Sequence, residues 1–181
     1  MKEDHAKDVR DRALLLAGPF RRSELVGLDV ADITDTEDGL HIVVRRSKSD
    51  QEGEGDLVGV PYGSHPPTCP VRAWRAWLAV SEITEGPAFR GITRHGKISE
   101  TRLTARAVAD VVKVRAHAAG LDAKTFAAHS LRAGFATEAF GQGVPEFSVM
   151  RHGRWKSASS MRGYIREGSL WSDNAAAKLG L

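Results

Sequence analysis

The sequence is poor in cysteine: Cys69 stands alone among 181 residues. One thiol excludes an internal disulfide and a multi-cysteine zinc site, and that usage suits a reducing cytoplasm. Long apolar runs are missing as well. No stretch approaches the roughly 18 apolar residues of a membrane span, and the polar stretch from Met1 to Arg12 does not read as a signal peptide. There is no heptad or Gly-X-Y repeat, no low-complexity tract and no domain-sized linker. His5, His41, His65, His95 and His117 fall at no metal-ligand spacing, so no metal site is assigned. What is present, 41% hydrophobic and 27% charged residues, suits one globular domain over residues 1–181.

The net charge of +3 is unremarkable, but its distribution is uneven. Residues 91–181 hold 14 Lys and Arg against 7 Asp and Glu, whereas residues 1–90 hold 12 against 16. A basic half suits a phosphate backbone, because Lys and Arg gain affinity by releasing condensed counterions. A solvated basic surface without a partner fits the charge equally well.

Periodicity predicts an α+β, mainly helical domain with one small antiparallel sheet. Apolar residues at Val9, Ala13, Leu14, Leu16 and Ala17 predict a helix over 8–17, which Gly18-Pro19 should end. A short helix is expected over 23–27. Alternation at Leu40, Ile42 and Val44 predicts a strand over 39–46, with partners over 30–34 and 57–61, hence a three-stranded meander with a charged loop over 47–56. Thr68 reads as an N-cap, with Pro70 in the first turn of a helix to about Val80 whose Val71, Trp74, Trp77 and Leu78 face the core. A further helix is expected over 104–119, closed by Gly120, then others over 129–140, 145–150 and 157–166, and a last short one over 172–181.

Short polar motifs carry the chemistry. They are Arg21-Arg22-Ser23-Glu24-Leu25, Arg45-Arg46-Ser47-Lys48-Ser49-Asp50, His129-Ser130-Leu131-Arg132, Arg154-Trp155-Lys156 and Tyr164-Ile165-Arg166. Two arginines, a lysine, a histidine and a tyrosine form a coherent set for phosphoryl transfer. Guanidinium forks can clamp non-bridging oxygens and stabilise the charge that builds in the transition state. A lysine can protonate a leaving oxygen, a histidine can take a proton from a nucleophile, and a tyrosine can be that nucleophile. On a helix, His129 and Arg132 share a face. Glu24 is expected to support local structure or orient an arginine.

In this order the motifs resemble those of the tyrosine recombinases, or phage-type integrases, and specifically their C-terminal catalytic domain. The resemblance runs from Val9 to about Ala177. The Arg-x-Ser-Glu-Leu box selects Arg21, the hairpin-loop lysine matches Lys48, and the His-x-x-Arg box matches His129 and Arg132. The His or Trp that stands nine residues before the nucleophile matches Trp155, and the nucleophile matches Tyr164. His152, twelve residues before it, competes with Trp155 at a poorer spacing. The Trp, with His-Ser-x-Arg and Tyr-Ile-Arg, suggests the Cre-like branch.

The resemblance implies cleavage and rejoining of double-stranded DNA through a 3′-phosphotyrosyl link, with neither metal nor ATP as cofactor. It assigns phosphate binding to Arg21 and Arg132, leaving-group protonation to Lys48, assistance to His129, nucleophilic attack to Tyr164, and packing and an indole hydrogen bond to Trp155. Arg22, Arg46, Arg154 and Lys156 are candidate DNA contacts. A homotetramer on DNA is implied, or a monomer for the isolated domain, in the cytoplasm on the nucleoid. Leu170, Trp171, Ala176 and Leu179 would anchor a tail on a neighbouring subunit. Two alternatives stay open: a DNA-binding relative with impaired catalysis, and a relaxing activity like that of type IB topoisomerases. Three departures from the family pattern accompany these matches. Gly18-Pro19-Phe20 makes the approach to Arg21 about one turn short, which could displace Arg21. Arg154 stands where glycine is usual, and the family's N-terminal DNA clamp has no counterpart before Asp8.

Overall fold

The structure, a computed structural model, describes residues 2–45, 55–127 and 129–164. Helix α1 (Lys2–Leu16) begins a turn and a half before the apolar pattern does, because its first residues are polar. It stops where expected. Gly18 takes φ 112, a left-handed conformation open to glycine, and the Phe20 N–H closes the turn on the Gly18 carbonyl at 2.9 Å. Helix α2 (Arg22–Gly27) follows and buries Leu25.

Strands β1 (Ile33–Asp35), β2 (Gly39–Val44) and β3 (Asp56–Pro61) form the antiparallel meander in that order. Leu40 faces Val60 and Ile42 faces Val58, and all four are buried, as the alternation requires. The first strand is shorter than predicted. Residues Val30–Asp32 instead make a 3₁₀ turn, because the Asp32 carboxylate accepts the Asp29 N–H at 2.9 Å.

Helix α3 (Pro70–Ser81) has Pro70 in its first turn, but its cap is Cys69 rather than Thr68, which belongs to a preceding 3₁₀ turn. It packs on α1. Trp77 is fully buried and donates its indole N–H to the Ala88 carbonyl at 2.8 Å, and Trp74 meets Phe89 edge-on. A second hairpin, β4 (Arg90–Ile92) and β5 (Ile98–Arg102), gave no signal in the sequence. Its strands are short and half-exposed, so no alternation of apolar residues marks them. Polar contacts anchor it instead: Arg102 bonds the Val26 and Leu28 carbonyls and the Asp29 carboxylate.

Helix α4 (Ala105–Ala118) is capped by Thr104, whose hydroxyl accepts the Ala107 N–H at 3.1 Å. Helices α5 (Ser130–Gly141), α6 (Glu146–Gly153) and α7 (Ala158–Arg162) complete the described chain. The tail helix expected over 172–181, with its anchors Leu170, Trp171, Ala176 and Leu179, lies outside the described residues. No helix among the described residues is long and apolar enough to cross a membrane.

Two apolar clusters result. The larger joins α1, α2, the meander, α3 and α4; the smaller joins α5, α6 and α7 around Ala136, Val149, Trp155 and Met161. Helix α5 belongs to both, with Leu131 on the first and Phe135 on the second.

Gly39 tests the meander. Its φ is 144, and a Cβ there would lie 2.2 Å from the Val60 carbonyl oxygen. Gly39→Ala should therefore destabilise the protein by about 2–4 kcal/mol in denaturant unfolding, from backbone strain plus steric conflict across the sheet. A loss within about 0.5 kcal/mol contradicts the register.

Candidate active site

Arg21 is the residue on which α2 begins. Its N–H donates to Glu24 Oε2 at 2.7 Å, and its guanidinium donates to Glu24 Oε1 at 2.5 Å. The Glu24 side chain is only 1% exposed, so the carboxylate is committed to these donors and sets the direction of Arg21. After the short approach, Arg21 lines the same cleft as Arg132. The Gly18–Phe20 turn docks on the other arginine: Phe20 is fully buried, and the Pro19 carbonyl accepts an N–H from Arg132 at 2.6 Å.

Helix α5 supplies His129 as its N-cap and Arg132 in its first turn. Ser130 fixes this entry, since its hydroxyl accepts the Ala127 N–H while its own N–H bonds the Ala127 carbonyl, both at 2.9 Å. Arg132 is buried, and its guanidinium lies 3.7 Å from the centre of the Trp155 ring, a cation–π contact. Its Nη2 is buried without a hydrogen-bond partner among the described residues. Burial, and then the charge of Arg21, push the Arg132 pKa down to about 10. It remains a cation at neutral pH, but one whose charge is poorly compensated and is relieved by an anion.

Trp155 packs behind the cleft, against Arg132 and Tyr164. It stacks on Phe135 and meets the Tyr164 ring edge-on at 5.8 Å, and its Nε1 is buried without a partner among the described residues. Gly153 makes room for it: a Cβ there would fall 1.6 Å from a Trp155 ring carbon. His152, the competing candidate, packs on Phe135 instead. Tyr164 is half-buried, and its carbonyl accepts the Thr137 hydroxyl at 3.3 Å.

Arg21, Arg22, Ser23, His129, Arg132 and Tyr164 line one cleft of about 420 Å³. It lies where the two apolar clusters meet. Three guanidiniums, an exposed imidazole and a phenol thus surround a space fit for an anion, at the N-terminal end of a 12-residue helix. Lys48 and Arg46 lie outside the described residues. Arg22 and Lys156 are exposed, as a DNA contact requires. Arg154 is not. Its side chain is 8% exposed and pairs with Glu24 and Asp56, an internal rather than a surface contact. The sequence offered one signal for this, a bulky residue where glycine is usual: Arg154 has φ 54.

Residues 1–169 match the model of the phage integrase family. An integrase/recombinase XerD homolog from Selenomonas ruminantium is 41% identical over 180 residues, covering 98% of this chain and 53% of that protein. The chain therefore spans about half the length of this curated relative. Among solved structures, a XerH site-specific recombinase bound to palindromic difH substrate, in a post-cleavage complex, matches with a TM-score of 0.68 at 20% identity, covering 96% of this chain and 46% of that one. The XerA recombinase matches with a TM-score of 0.64 at 19% identity, covering 93% and 61%. At such identities the structures speak for the fold: a mainly helical α+β domain of the tyrosine recombinase type. These relatives are Xer proteins by name and lend no support to the Cre-like branch.

The half-buried His152 gives the fold a pH signature. Burial first, and then the charges of Arg154 and Arg151, hold its pKa below the ordinary imidazole value of about 6.5. A depressed native pKa means that the unfolded chain takes up the proton first as pH falls. The contribution is complete above about pH 6.5 and is lost progressively below it. Thermal melts from pH 7.5 to 5 should show a steeper fall for the wild type than for His152→Gln, and parallel curves contradict this placement.

Proposed function

The chain belongs to the phage integrase family, and from that membership we propose that it is the strand-cleaving and strand-joining domain of a site-specific DNA recombinase. The observation that carries this reading is the meeting of Arg21 and Arg132 in one cleft with His129 and Tyr164. Two guanidiniums from distant parts of the chain can hold both non-bridging oxygens of one phosphodiester. The Tyr164 hydroxyl attacks the phosphorus and passes its proton towards His129. The bond from phosphorus to the 5′ oxygen breaks, and Lys48 protonates that oxygen. The products are a 3′-phosphotyrosyl link and a 5′-hydroxyl. The link conserves the energy of the phosphodiester, so attack by a 5′-hydroxyl of another strand reverses the step and rejoins DNA.

Trp155 supports this reading through its indole N–H, which has no partner among the described residues, and its contacts with both Arg132 and Tyr164. Arg22, Arg46 and Lys156 would hold flanking phosphates. Double-stranded DNA is the proposed substrate, and strand exchange between two sites requires a homotetramer. The relative solved with difH substrate supports DNA as the partner. The proposed setting is the bacterial nucleoid.

A pool of nicked duplexes tests the chemistry, because the short fragment beyond a nick diffuses away and leaves the covalent complex trapped. The wild type should form an adduct that survives denaturation and maps to Tyr164 by mass spectrometry. Tyr164→Phe should form none, and Arg132→Ala should slow adduct formation at least about 100-fold, the scale of losing one oxyanion contact. No wild-type adduct, or an undiminished one for Tyr164→Phe, contradicts the assignment.

A further inference from the structure

Arg154 stands one residue before Trp155, at the C-terminal end of α6, with φ 54 and ψ 48. That left-handed conformation suits glycine, the family's usual residue there, and disfavours a side chain. This chain nevertheless carries its longest cation at that point, and the side chain is buried. Three contacts hold it. The guanidinium donates to Glu24 Oε2, it lies 4.9 Å from the centre of the Phe20 ring, and its Nε is 3.5 Å from the Asp56 carboxylate. Each contact reaches out of the smaller apolar cluster into the part of the chain built on the larger one.

Glu24 is the carboxylate that aims Arg21, and Phe20 flanks the turn that receives Arg132. Trp155, next in the chain, carries Arg132 on its face and Tyr164 at its edge. We propose that Arg154 is a positioning residue that sets Arg21 against Trp155 and Tyr164 by tying Glu24 to the end of α6. It touches no DNA. It acts through Glu24, and a side chain is tolerated in the left-handed cap of α6 because it places a guanidinium where the two clusters meet.

The inference rests on the cleft being the phosphoryl-transfer site, so its test has a catalytic arm and a structural arm. In single-turnover reactions on saturating nicked duplex, Arg154→Gln should slow adduct formation about 10- to 100-fold, the scale of an ångström-sized misplacement. DNA affinity by fluorescence anisotropy should change by less than about threefold, because phosphate contacts elsewhere supply most of it. Arg154→Lys keeps the charge without the fork and should recover part of the rate; where Arg154→Gln does not fold, this variant carries the comparison. A crystal structure of Arg154→Gln or Arg154→Lys should show the Arg21 guanidinium shifted from its wild-type place. An unchanged rate overturns the proposal, as does an affinity that falls in step with the rate. Arg21 unmoved in the crystal also overturns it, whether or not the wild type forms an adduct. A missing wild-type adduct together with a shifted Arg21 sinks the catalytic reading and leaves the positioning role standing.

Discussion

The Glu24 carboxylate is shared by two arginines that the chain supplies from opposite ends, Arg21 at its own helix start and Arg154 from 130 residues away. A carboxylate buried this deeply is costly unless its lone pairs are filled. Arg21 provides a backbone and a side-chain donor, and Arg154 provides the charge that completes the set. Neither apolar cluster alone could fix the distance between Arg21 and Trp155, because hydrophobic contact is not directional. A shared carboxylate is directional, and so the polar joint, rather than the core, sets the geometry of the cleft.

The same logic explains the electrostatics. Arg132 is stacked on Trp155, bonded to the Pro19 carbonyl and placed near Arg21, with no carboxylate of its own among the described residues. The protein holds a cation where its charge is only partly answered, which is the condition for binding a phosphate and its developing negative charge strongly. The net charge of +3 conceals this. Arg21 comes from the acidic half of the sequence and Arg132 from the basic half, and folding brings them to one surface.

Much of this was legible in the sequence, for physical reasons. The meander, α3 and α4 bury alternating or helically spaced apolar residues, so their periods are visible. The motif residues Arg21, His129, Arg132, Trp155 and Tyr164 follow a familiar order, and the structure brings them together. Three features were not legible. The β4–β5 hairpin is held by Arg102 rather than by buried side chains. The turn over Val30–Asp32 depends on a local carboxylate bond that competes with the strand. The burial of Arg154 depends on a partner 130 residues distant, which no local pattern encodes.

A double-mutant cycle between Glu24→Gln and Arg154→Gln, read as unfolding free energy, tests the shared carboxylate most directly. Removing either partner alone should cost several kcal/mol, because a buried charge is left unanswered. Removing both should cost much less than the sum, with a coupling of about 1–3 kcal/mol. Losses that add to within about 0.5 kcal/mol would contradict the joint on which the cleft depends.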